Sequence, residues 1–265
     1  MISVCIAGAT GWTGRALVPA VARAGDLRLA SAVSRSAAGR DVGEALGGAA
    51  LGVPVYETVA EALDGADVLV DYTSETAVKG NTLAAIRAGV GVVVGSSGLT
   101  AADFAEIDAA ARERSVGVVA SGNFSVTAAM CLAAALVAAR HLPYREVIDY
   151  AGETKPDVPS GTARELAERL AEVRPAEVGR PVELHGSREA RGVAVEGTHI
   201  HSVRLPSFVV STEVLFALPD ERLTIRHDAG GTPAPYVAGT LLAVRRVTDL
   251  VGLTRGLDTL LLQAE

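Results

Sequence analysis

Residues 2–14 read ISVCIAGATGWTG, and this stretch decides the fold of the first half of the chain. Its first six residues are mostly apolar or β-branched and predict a short buried strand. Gly8 and Gly11 then let the backbone turn and approach a phosphate, and Gly14 lets the helix RALVPAVARAG pack closely on the strand. Strand, glycine turn and helix in this order are typical of a dinucleotide-binding loop, in which the helix N-terminus attracts a pyrophosphate.

Strands and helices alternate from this loop to residue 120. The periodicity predicts strands at 2–7, 27–33, 53–56, 67–73, 91–95 and 116–120, and helices at 12–24, 58–64, 75–88 and 101–114. This alternation is typical of an α/β fold with a doubly wound parallel sheet, the Rossmann type. Short turns follow three strands, at Thr73-Ser74, 95–98 and 121–124. We expect these turns at the sheet edge that lines the nicotinamide end of a cofactor.

The second strand ends at Ser34-Arg35, the point at which this class of fold reads the adenosine ribose. NAD-binding sites commonly place an acidic residue here, and neither of these two residues is acidic. A serine hydroxyl and a guanidinium suit a 2′-phosphate instead. We therefore predict NADPH as the cofactor, with NADH possible. The alternative is that Arg35 is only an exposed residue at the end of a strand.

The pattern changes after Ser125. An Ala-rich helix leads into the strand YREVIDYA, a loop and a helix, and then into strand-like segments at 188–196, 199–205, 208–217 and 221–228. These segments predict a second, α+β domain built on a mixed sheet. The chain returns to helix from Pro233. We therefore expect a nucleotide-binding domain of residues 1–124 plus 232–265, and a second domain of residues 125–231.

Residues 155–163, KPDVPSGTA, carry the second binding motif. Ser160 is a favourable N-cap after Pro159, so the amides of Gly161 and Thr162 open the next helix and can bind an anion. Lys155 lies across a stiff Pro-Asp-Val-Pro loop and can place its charge over the same point. The motif predicts a carboxylate-binding site. The alternative is a well-capped surface helix beside a solvated lysine.

Composition narrows the class of protein. The chain has 265 residues, 49% of them hydrophobic, so it can bury one or two ordinary cores. Its 24 basic and 31 acidic side chains give a net charge of −7, which argues against binding to nucleic acid or to an anionic membrane. Cys5 and Cys131 are expected as buried thiols. The longest apolar stretch, 126–139, is too short to span a bilayer, and the first residues contain no basic leader, so we predict a cytoplasmic protein.

Several motifs together resemble one family. In chain order they are the glycine loop, VDYT (70–73), VVGSSG (93–98), SGNFSV (121–126), KPDVPSGTA, IHSVRLPSFVVSTEVLF (200–216) and LTIRHD (223–228). They are similar to the 4-hydroxy-tetrahydrodipicolinate (dihydrodipicolinate) reductases of lysine biosynthesis, over nearly the whole chain. The resemblance implies a two-domain enzyme that transfers a hydride from NAD(P)H to a cyclic, imine-containing dicarboxylate. It also implies that the second domain binds this small-molecule substrate and forms a homotetramer through its sheet.

The resemblance assigns roles to residues at matching positions. It implies that the pyrophosphate is held by Gly8, Ala9, Thr10, Gly11, Trp12 and Thr13. It places the adenosine ribose at Ser34 and Arg35, and it frames the nicotinamide with Gly95, Ser96, Ser97, Ser121, Gly122, Asn123 and Phe124. Lys155 matches the family's catalytic lysine, and Ser160, Gly161 and Thr162 match the turn that takes a substrate carboxylate. The family often has an arginine at the position of Trp12, a change expected to matter little because phosphate contacts are largely backbone.

One departure from the family bears on the chemistry. The family carries a His-His pair ahead of its lysine, with one member proposed to exchange a proton, and the aligned residues here are Ala151 and Gly152. Hydride addition to a conjugated imine leaves an enamine-like anion that must be protonated. We favour Lys155 as the donor, with Tyr150 or a bound water second; Asp149, Glu153, His199 and His201 are further titratable groups of the same domain. His199 and His201 share a strand face, but no third ligand is placed by spacing, so no metal is expected.

Three functions therefore remain open. The first is a lysine-pathway reductase that works without the two histidines. The second is a paralogue of the same fold that reduces a different carboxylated cyclic imine or enamine. The third is a nucleotide-binding sensor that has lost catalysis, although the intact lysine and SGT turn argue against it.

Overall fold

The computed structural model describes residues 1–177, 185–206 and 210–262. The chain divides into two compact units, the first formed by 1–125 with 233–265 and the second by 126–232. Each boundary lies one residue from the position expected from the sequence. Strands and helices are numbered below in chain order through both units.

The first unit is built on seven described strands, and all neighbouring strands in its sheet run parallel. The strands are β1 (Ile2–Ala7), β2 (Leu27–Val33), β3 (Val55–Tyr56), β4 (Val68–Asp71), β5 (Gly91–Val94), β6 (Gly117–Ala120) and β12 (Gly252–Arg255). Their order is β12-β6-β5-β4-β1-β2-β3. The chain moves outward from β1 in one direction and from β4 in the other, so the topological switch point lies between these two strands. The predicted doubly wound sheet is confirmed.

Seven described helices belong to this unit. They are α1 (Gly14–Arg23), α2 (Val42–Ala45), α3 (Val59–Ala62), α4 (Val78–Arg87), α5 (Ala101–Glu113), α8 (Ala234–Val247) and α9 (Leu257–Leu262). A shared core joins α3, α4 and α5 to the sheet through side chains such as Leu69, Ile86 and Ile107. The central strands β4, β5 and β6 are buried along their whole length, as expected where helices cover both faces of a parallel sheet.

The second unit contains five described strands and two helices. They are α6 (Val126–Ala139), β7 (Tyr144–Ala151), α7 (Gly161–Val173), β8 (Val193–Val195), β9 (Thr198–Arg204), β10 (Val210–Leu218) and β11 (Glu221–Asp228). The sheet order is β11-β10-β7-β9-β8, with β7 and β9 parallel and the other neighbours antiparallel. The predicted mixed sheet is confirmed.

The two helices of this unit pack against one face of its sheet. The core there includes Leu132 of α6, Leu170 of α7 and Val147 of β7. Residues of β7 alternate between the two faces, so Asp149 and Ala151 lie on the same face as Val147. Tyr150 lies on the opposite face, which we call the outer face.

Two expectations for local structure were wrong. The predicted strand at 188–196 is a 3₁₀-helix at Arg188–Arg191 followed by the short strand β8, because Gly192 adopts a φ of +74° between them. The C-terminal part contains strand β12, which was expected as helix; β12 pairs with β6 at the sheet edge and is only half buried, so it lacks the apolar run of a central strand. The strand predicted at 208–217 is present as β10 from Val210, and residues 208 and 209 lie outside the described residues.

Candidate functional site

Part of the predicted cofactor set lines one cleft in the first unit, at the carboxyl ends of β1, β2 and β4. The cleft has a volume of about 570 Å³. Six predicted residues line it: Gly8, Thr10, Gly11, Ser34, Arg35 and Thr73. The cleft lies beside the switch point of the sheet, where open α/β sheets bind their ligands. The structure thus brings together residues from three separate strand ends.

The turn after β1 has the geometry of a phosphate loop. Gly8 has a φ of +80°, and a Cβ atom there would collide with the main-chain carbonyl of Tyr72. The Gly11 amide donates to the Gly8 carbonyl at 2.9 Å and closes the turn before α1. Within the described residues, the side chain of Thr13 at the N-cap makes no capping hydrogen bond. The first turn of α1 also carries no acidic side chain, so the positive end of the helix dipole can attract an anion, and the loop fits a dinucleotide pyrophosphate.

Hydroxyl groups cluster where β2 ends. Thr10 Oγ1 and Ser34 Oγ are 2.7 Å apart, and Ser34 Oγ lies 3.3 Å from Ser36 Oγ. Arg35 is exposed beside them. Glu57 lines the same cleft and was missed by sequence reasoning, although its place directly after β3 was a usable signal. This end of the cleft therefore carries a guanidinium, which suits a 2′-phosphate, and a carboxylate, which suits ribose hydroxyls.

Asp71, the last residue of β4, is a second residue that sequence reasoning missed. Its side chain is fully buried and accepts hydrogen bonds from the Thr73 amide and hydroxyl at 2.9 and 2.7 Å. It also accepts from the Ser96 hydroxyl and the Asn81 side-chain amide, each at 2.8 Å. Because Thr73 and Ser96 belong to the loops after β4 and β5, Asp71 joins two loops that we predicted to frame the nicotinamide. The sequence feature that could have identified Asp71 is an acidic residue at the end of an apolar strand.

The other predicted nicotinamide residues follow β5 and β6 at the same edge of the sheet. Gly95 lies against the ring of Tyr72, with which any Cβ atom at Gly95 would collide. Phe124 is buried and packs edge-on against the same ring, with ring centroids 6.2 Å apart. Ten described residues that were predicted to bind the cofactor do not line the 570 Å³ cleft. They are Ala9, Trp12, Thr13, Gly95, Ser96, Ser97, Ser121, Gly122, Asn123 and Phe124.

The glycine loop presents backbone more than side chains. Ala9 is fully buried, and Trp12 is 50% exposed with its ring packed edge-on against Tyr236 at 5.7 Å. Ala9 has no side-chain donor, so any contribution it makes to a pyrophosphate site comes from its main-chain amide. Trp12 can offer its main-chain amide and the uncharged indole N–H.

In the second unit, Ser160 begins α7 as predicted. Its hydroxyl accepts from the Ala163 amide at 3.2 Å and donates to Asp149 Oδ1 at 2.7 Å. Asp149 Oδ2 accepts from the Ser160 amide and from Arg204 Nη2, each at 2.8 Å. Asp149 is fully buried, so this arrangement anchors the start of α7 to strands β7 and β9. Sequence reasoning placed Asp149 near the site but did not give it this role.

Lys155 is brought to the N-terminus of α7, as the motif predicted, and a carboxylate already lies between them. Lys155 Nζ is 2.7 Å from Asp157 Oδ1. Asp157 Oδ2 accepts from the Gly161 amide at 3.3 Å. The lysine and the helix amide therefore converge on one carboxylate, which is the chemistry expected of a carboxylate-binding site.

Family models match both parts of the chain. The model described as dihydrodipicolinate reductase, N-terminus, matches residues 2–124, and the model described as dihydrodipicolinate reductase, C-terminus, matches residues 123–261. The chain belongs to the dihydrodipicolinate reductase family.

Relatives within the family match the chain over almost its full length. A 4-hydroxy-tetrahydrodipicolinate reductase of Desulfitobacterium hafniense (strain DSM 10664 / DCB-2) is 38% identical over 264 residues, covering 98% of both chains. One of Synechococcus elongatus is 39% identical over 272 residues, again covering 98% of both chains. These identities agree with the resemblance drawn from the motifs.

Solved structures give the same result. A dipicolinate-bound dihydrodipicolinate reductase from Paenisporosarcina sp. TG-14 superposes with a TM-score of 0.75 at 29% identity, covering 98% of this chain and 99% of that one. The NAD complex of GenD2 from gentamicin A biosynthesis has a TM-score of 0.59 at 18% identity, a likeness in fold alone. Membership of this reductase family supports a pyridine-nucleotide-dependent oxidoreductase.

The structure separates Tyr150 from Asp149, because the two side chains lie on opposite faces of the sheet. Tyr150 lies on the outer face, where its hydroxyl donates to Glu213 Oε2 at 3.4 Å and Arg226 lies 5.0 Å over its ring. Burial, and next the nearby Glu213 carboxylate, raise the pKa of the Tyr150 hydroxyl. Asp149 and the start of α7 lie on the helix-covered face. The geometry therefore disfavours Tyr150 as a proton donor at the carboxylate site.

Ala151 and Gly152, where the resemblance leads one to expect a His-His pair, differ in environment. Ala151 ends β7 and is fully buried on the helix-covered face. Gly152 follows it and is partly exposed, and its carbonyl accepts from the Lys155 amide at 3.1 Å. Gly152, and not Ala151, is thus the position from which a side chain could reach solvent beside Lys155.

The two histidines of β9 lie on the outer face. His201 Nε2 is 2.8 Å from Glu146 Oε2, an ordinary side-chain pair. Across residues 1–177, 185–206 and 210–262, no cluster of three His, Cys, Asp or Glu side chains has the arrangement of a metal site. Over the same residues, no helix combines the length and the apolar character that a membrane span requires.

Proposed function

We propose that this chain catalyses the NADPH-dependent reduction of 4-hydroxy-tetrahydrodipicolinate, the reaction for which its relatives in lysine biosynthesis are named. The observation that carries the proposal is the convergence of Lys155 and the Gly161 amide on one carboxylate. This pair matches the two kinds of donor expected for a substrate carboxylate, at the positions matching the family motif.

Bound NADPH would supply the hydride. Gly8 and Gly11 would let the backbone approach its pyrophosphate, and the loops joined by Asp71 would line the nicotinamide end. In the second unit, the Gly161 and Thr162 amides and the Lys155 ammonium would bind and orient a substrate carboxylate. Asp149 would hold Ser160, and with it this turn, in position.

Proton supply falls to Lys155. After hydride addition the substrate is an enamine-like anion, and one proton from Lys155 Nζ completes the reduction. The Lys155 side chain is 30% exposed, so Nζ can recover a proton from water. Positioned general acids contribute ~10²–10⁴-fold in rate.

The cofactor preference is part of the proposal. Arg35 and the hydroxyl of Ser34 would bind the 2′-phosphate of NADPH at the end of β2. Glu57 lines the same cleft and works against a phosphate, so we expect a preference for NADPH with NADH still accepted.

A second candidate is favoured by Ala151 and Gly152. Neither side chain can exchange a proton or hydrogen-bond a ring substituent, so the wall beside Lys155 would be less polar than one that carries histidines. A paralogue that reduces a different carboxylated cyclic imine fits that wall. Its substrate would bear a ring substituent that histidines exclude.

We also propose assembly into a homotetramer through the outer face of the five-stranded sheet. This face carries the partly exposed apolar side chains of Ile148 and Leu215 beside the Glu213–Arg226 ion pair. A mixed apolar and charged sheet face of this kind suits a self-complementary contact. Light scattering coupled to size-exclusion chromatography would measure the assembly, and Ile148→Lys should dissociate it.

One assay tests the function. Purified protein and NADPH are mixed with freshly generated 4-hydroxy-tetrahydrodipicolinate, and separately with a panel of cyclic imino acids, while the absorbance of reduced nicotinamide is followed. Turnover of the lysine-pathway substrate at an ordinary ~10 s⁻¹ supports the first candidate. Selective turnover of a panel member supports the paralogue. NADPH binding without turnover of any substrate would contradict both and indicate a sensor.

A further inference from the structure

We propose that Asp157 is an internal carboxylate that occupies the substrate-carboxylate position in the unliganded protein and leaves it when substrate binds. The inference rests on the proposed function of Lys155 and the SGT turn. It makes Asp157 a residue that determines affinity and specificity for anions at this site.

The contacts of Asp157 are those expected of a bound substrate carboxylate. One oxygen lies 2.7 Å from Lys155 Nζ, and the other accepts from the Gly161 amide at 3.3 Å. A second carboxylate brought to the same ammonium and amide would meet the first at close range, and two like charges there repel. Substrate and Asp157 therefore compete for one position.

The loop allows Asp157 to leave without rearranging. Its main-chain carbonyl accepts from Arg204 Nη2 at 2.8 Å, and Arg204 is in turn paired with the buried Asp149. Pro156 and Pro159 restrict the backbone on either side. Because the backbone is held, a rotation of the Asp157 side chain is sufficient to vacate the position. That side chain is 16% exposed, so a path toward water exists.

Competition between Asp157 and substrate for this position makes the site selective among anions. In the unliganded state Lys155 keeps a neutralising partner, so a small anion gains little by binding. A rigid dicarboxylate, which makes further contacts through its ring and second carboxylate, can displace Asp157 where acetate or chloride cannot. Asp157 thus lowers affinity for all anions but penalises weak ones most.

The direct test is dipicolinate binding measured by titration calorimetry with the full-length protein in the presence of NADPH. Asp157→Asn removes the competing charge with little change in shape, and we expect it to bind dipicolinate about 10-fold more tightly, as removal of a charge-assisted contact implies. Asp157→Ala should bind at least as tightly as Asp157→Asn. In turnover assays both variants should show a lower KM for the substrate.

The matched control is Glu153→Gln, which removes the same charge from an exposed position of the same loop. It should bind dipicolinate within about twofold of the wild type, because Lys155 is paired with Asp157 and the exposed Glu153 carboxylate is screened by solvent. Equal or weaker dipicolinate binding by Asp157→Asn would overturn the proposal. So would a fall in kcat at unchanged KM, which would make Asp157 a positioning residue for Lys155.

A second measurement does not depend on the reaction. The chain has two lysines, Lys79 and Lys155. Selective carbon-13 labelling of lysine therefore gives two side-chain signals in a nuclear magnetic resonance spectrum, and the signal that disappears in Lys79→Arg belongs to Lys79. The Lys155 signal should shift in Asp157→Asn and stay in place in Glu153→Gln, and dipicolinate should move it in the wild type. If dipicolinate binds none of the proteins, the proposed function fails, while the Lys155 signal still decides whether Asp157 occupies the site. An unmoved Lys155 signal in Asp157→Asn would refute the occupancy itself.

Discussion

The buried carboxylate of Asp149 accepts two hydrogen bonds from Ser160, one from its main-chain amide at 2.8 Å and one from its hydroxyl at 2.7 Å. The same hydroxyl caps α7 by accepting from the Ala163 amide. The N-cap is thus held by a charged group on the neighbouring strand, and Arg204 neutralises that charge. The start of α7 is fixed by tertiary contacts as well as by its own capping residue.

Replacement of Asp149 tests this arrangement. Asp149→Asn leaves the Arg204 guanidinium without its anion and sets an amide group against the donors of Ser160, so we expect a loss of ~3–5 kcal/mol in the free energy of unfolding. Urea denaturation would measure it. The exposed Asp220→Asn serves as control and should change stability by less than ~0.5 kcal/mol. A loss below ~1 kcal/mol for Asp149→Asn would contradict the anchoring role.

Lys155 carries the proposed catalysis. Lys155→Ala should lower kcat/KM by at least ~10²-fold, because it removes charge stabilisation and the proton donor together. NADPH affinity should stay unchanged in the same variant. Lys79→Ala is the matched control, since it removes the other lysine of the chain and breaks the ion pairs of Lys79 with Asp103 and Glu106, which lie in the first unit. Full activity of Lys155→Ala on any turned-over substrate would exclude Lys155 from the mechanism.

Substitutions of Arg35 and Glu57, which line one cleft, should change the preference for NADPH over NADH in opposite directions. Arg35→Asp removes the guanidinium proposed to bind the 2′-phosphate, so NADPH affinity should fall ~10-fold or more and the preference should vanish or reverse. Glu57→Gln removes a negative charge and should strengthen NADPH binding relative to NADH. Fluorescence titration of both reduced cofactors against the three proteins measures this. A wild type that binds NADH as well as NADPH would show that Ser34 and Arg35 are wrongly assigned.

Tyr150 provides a negative control for proton transfer. Its hydroxyl contacts Glu213 on the outer face, so Tyr150→Phe should keep kcat within about twofold of the wild type. The pH profile of kcat should also be unchanged. A loss of ~10²-fold in kcat would return Tyr150 to the list of proton donors.

Cys5 predicts a dependence of stability on alkaline pH. Burial raises the pKa of the Cys5 thiol from 9.0 to about 11. The unfolded thiol therefore loses its proton near pH 9 while the folded one keeps it, so the stability contributed below pH 9 is lost as the pH rises to 11. The loss should reach about 3 kcal/mol per chain, because each tenfold difference in proton affinity between the folded and unfolded thiol corresponds to about 1.4 kcal/mol. Urea denaturation of the wild type and of Cys5→Ala across this interval isolates the effect, and parallel pH curves for the two proteins would refute it.

The local sequence determined the elements whose signals are short-range. The glycine loop, the central parallel strands and the Ser160 cap of α7 were predictable because backbone conformation, capping and burial on both faces depend on a few neighbouring residues. Strands at the edge of a sheet were harder to predict from the sequence. Strand β12 pairs on one side and is half buried, so its residues GLTR lack the apolar run that identifies a strand.

The tertiary structure alone decided which polar groups meet. Sequence spacing does not show that Asp71 collects donors from two loops or that Glu57 shares a cleft with Arg35. It also does not show that Asp157 lies between Lys155 and Gly161. Periodicity reports whether a side chain faces a core, whereas a hydrogen bond or ion pair requires two groups within about 3 Å. That distance is set by how strands and loops remote in sequence are brought together by the fold.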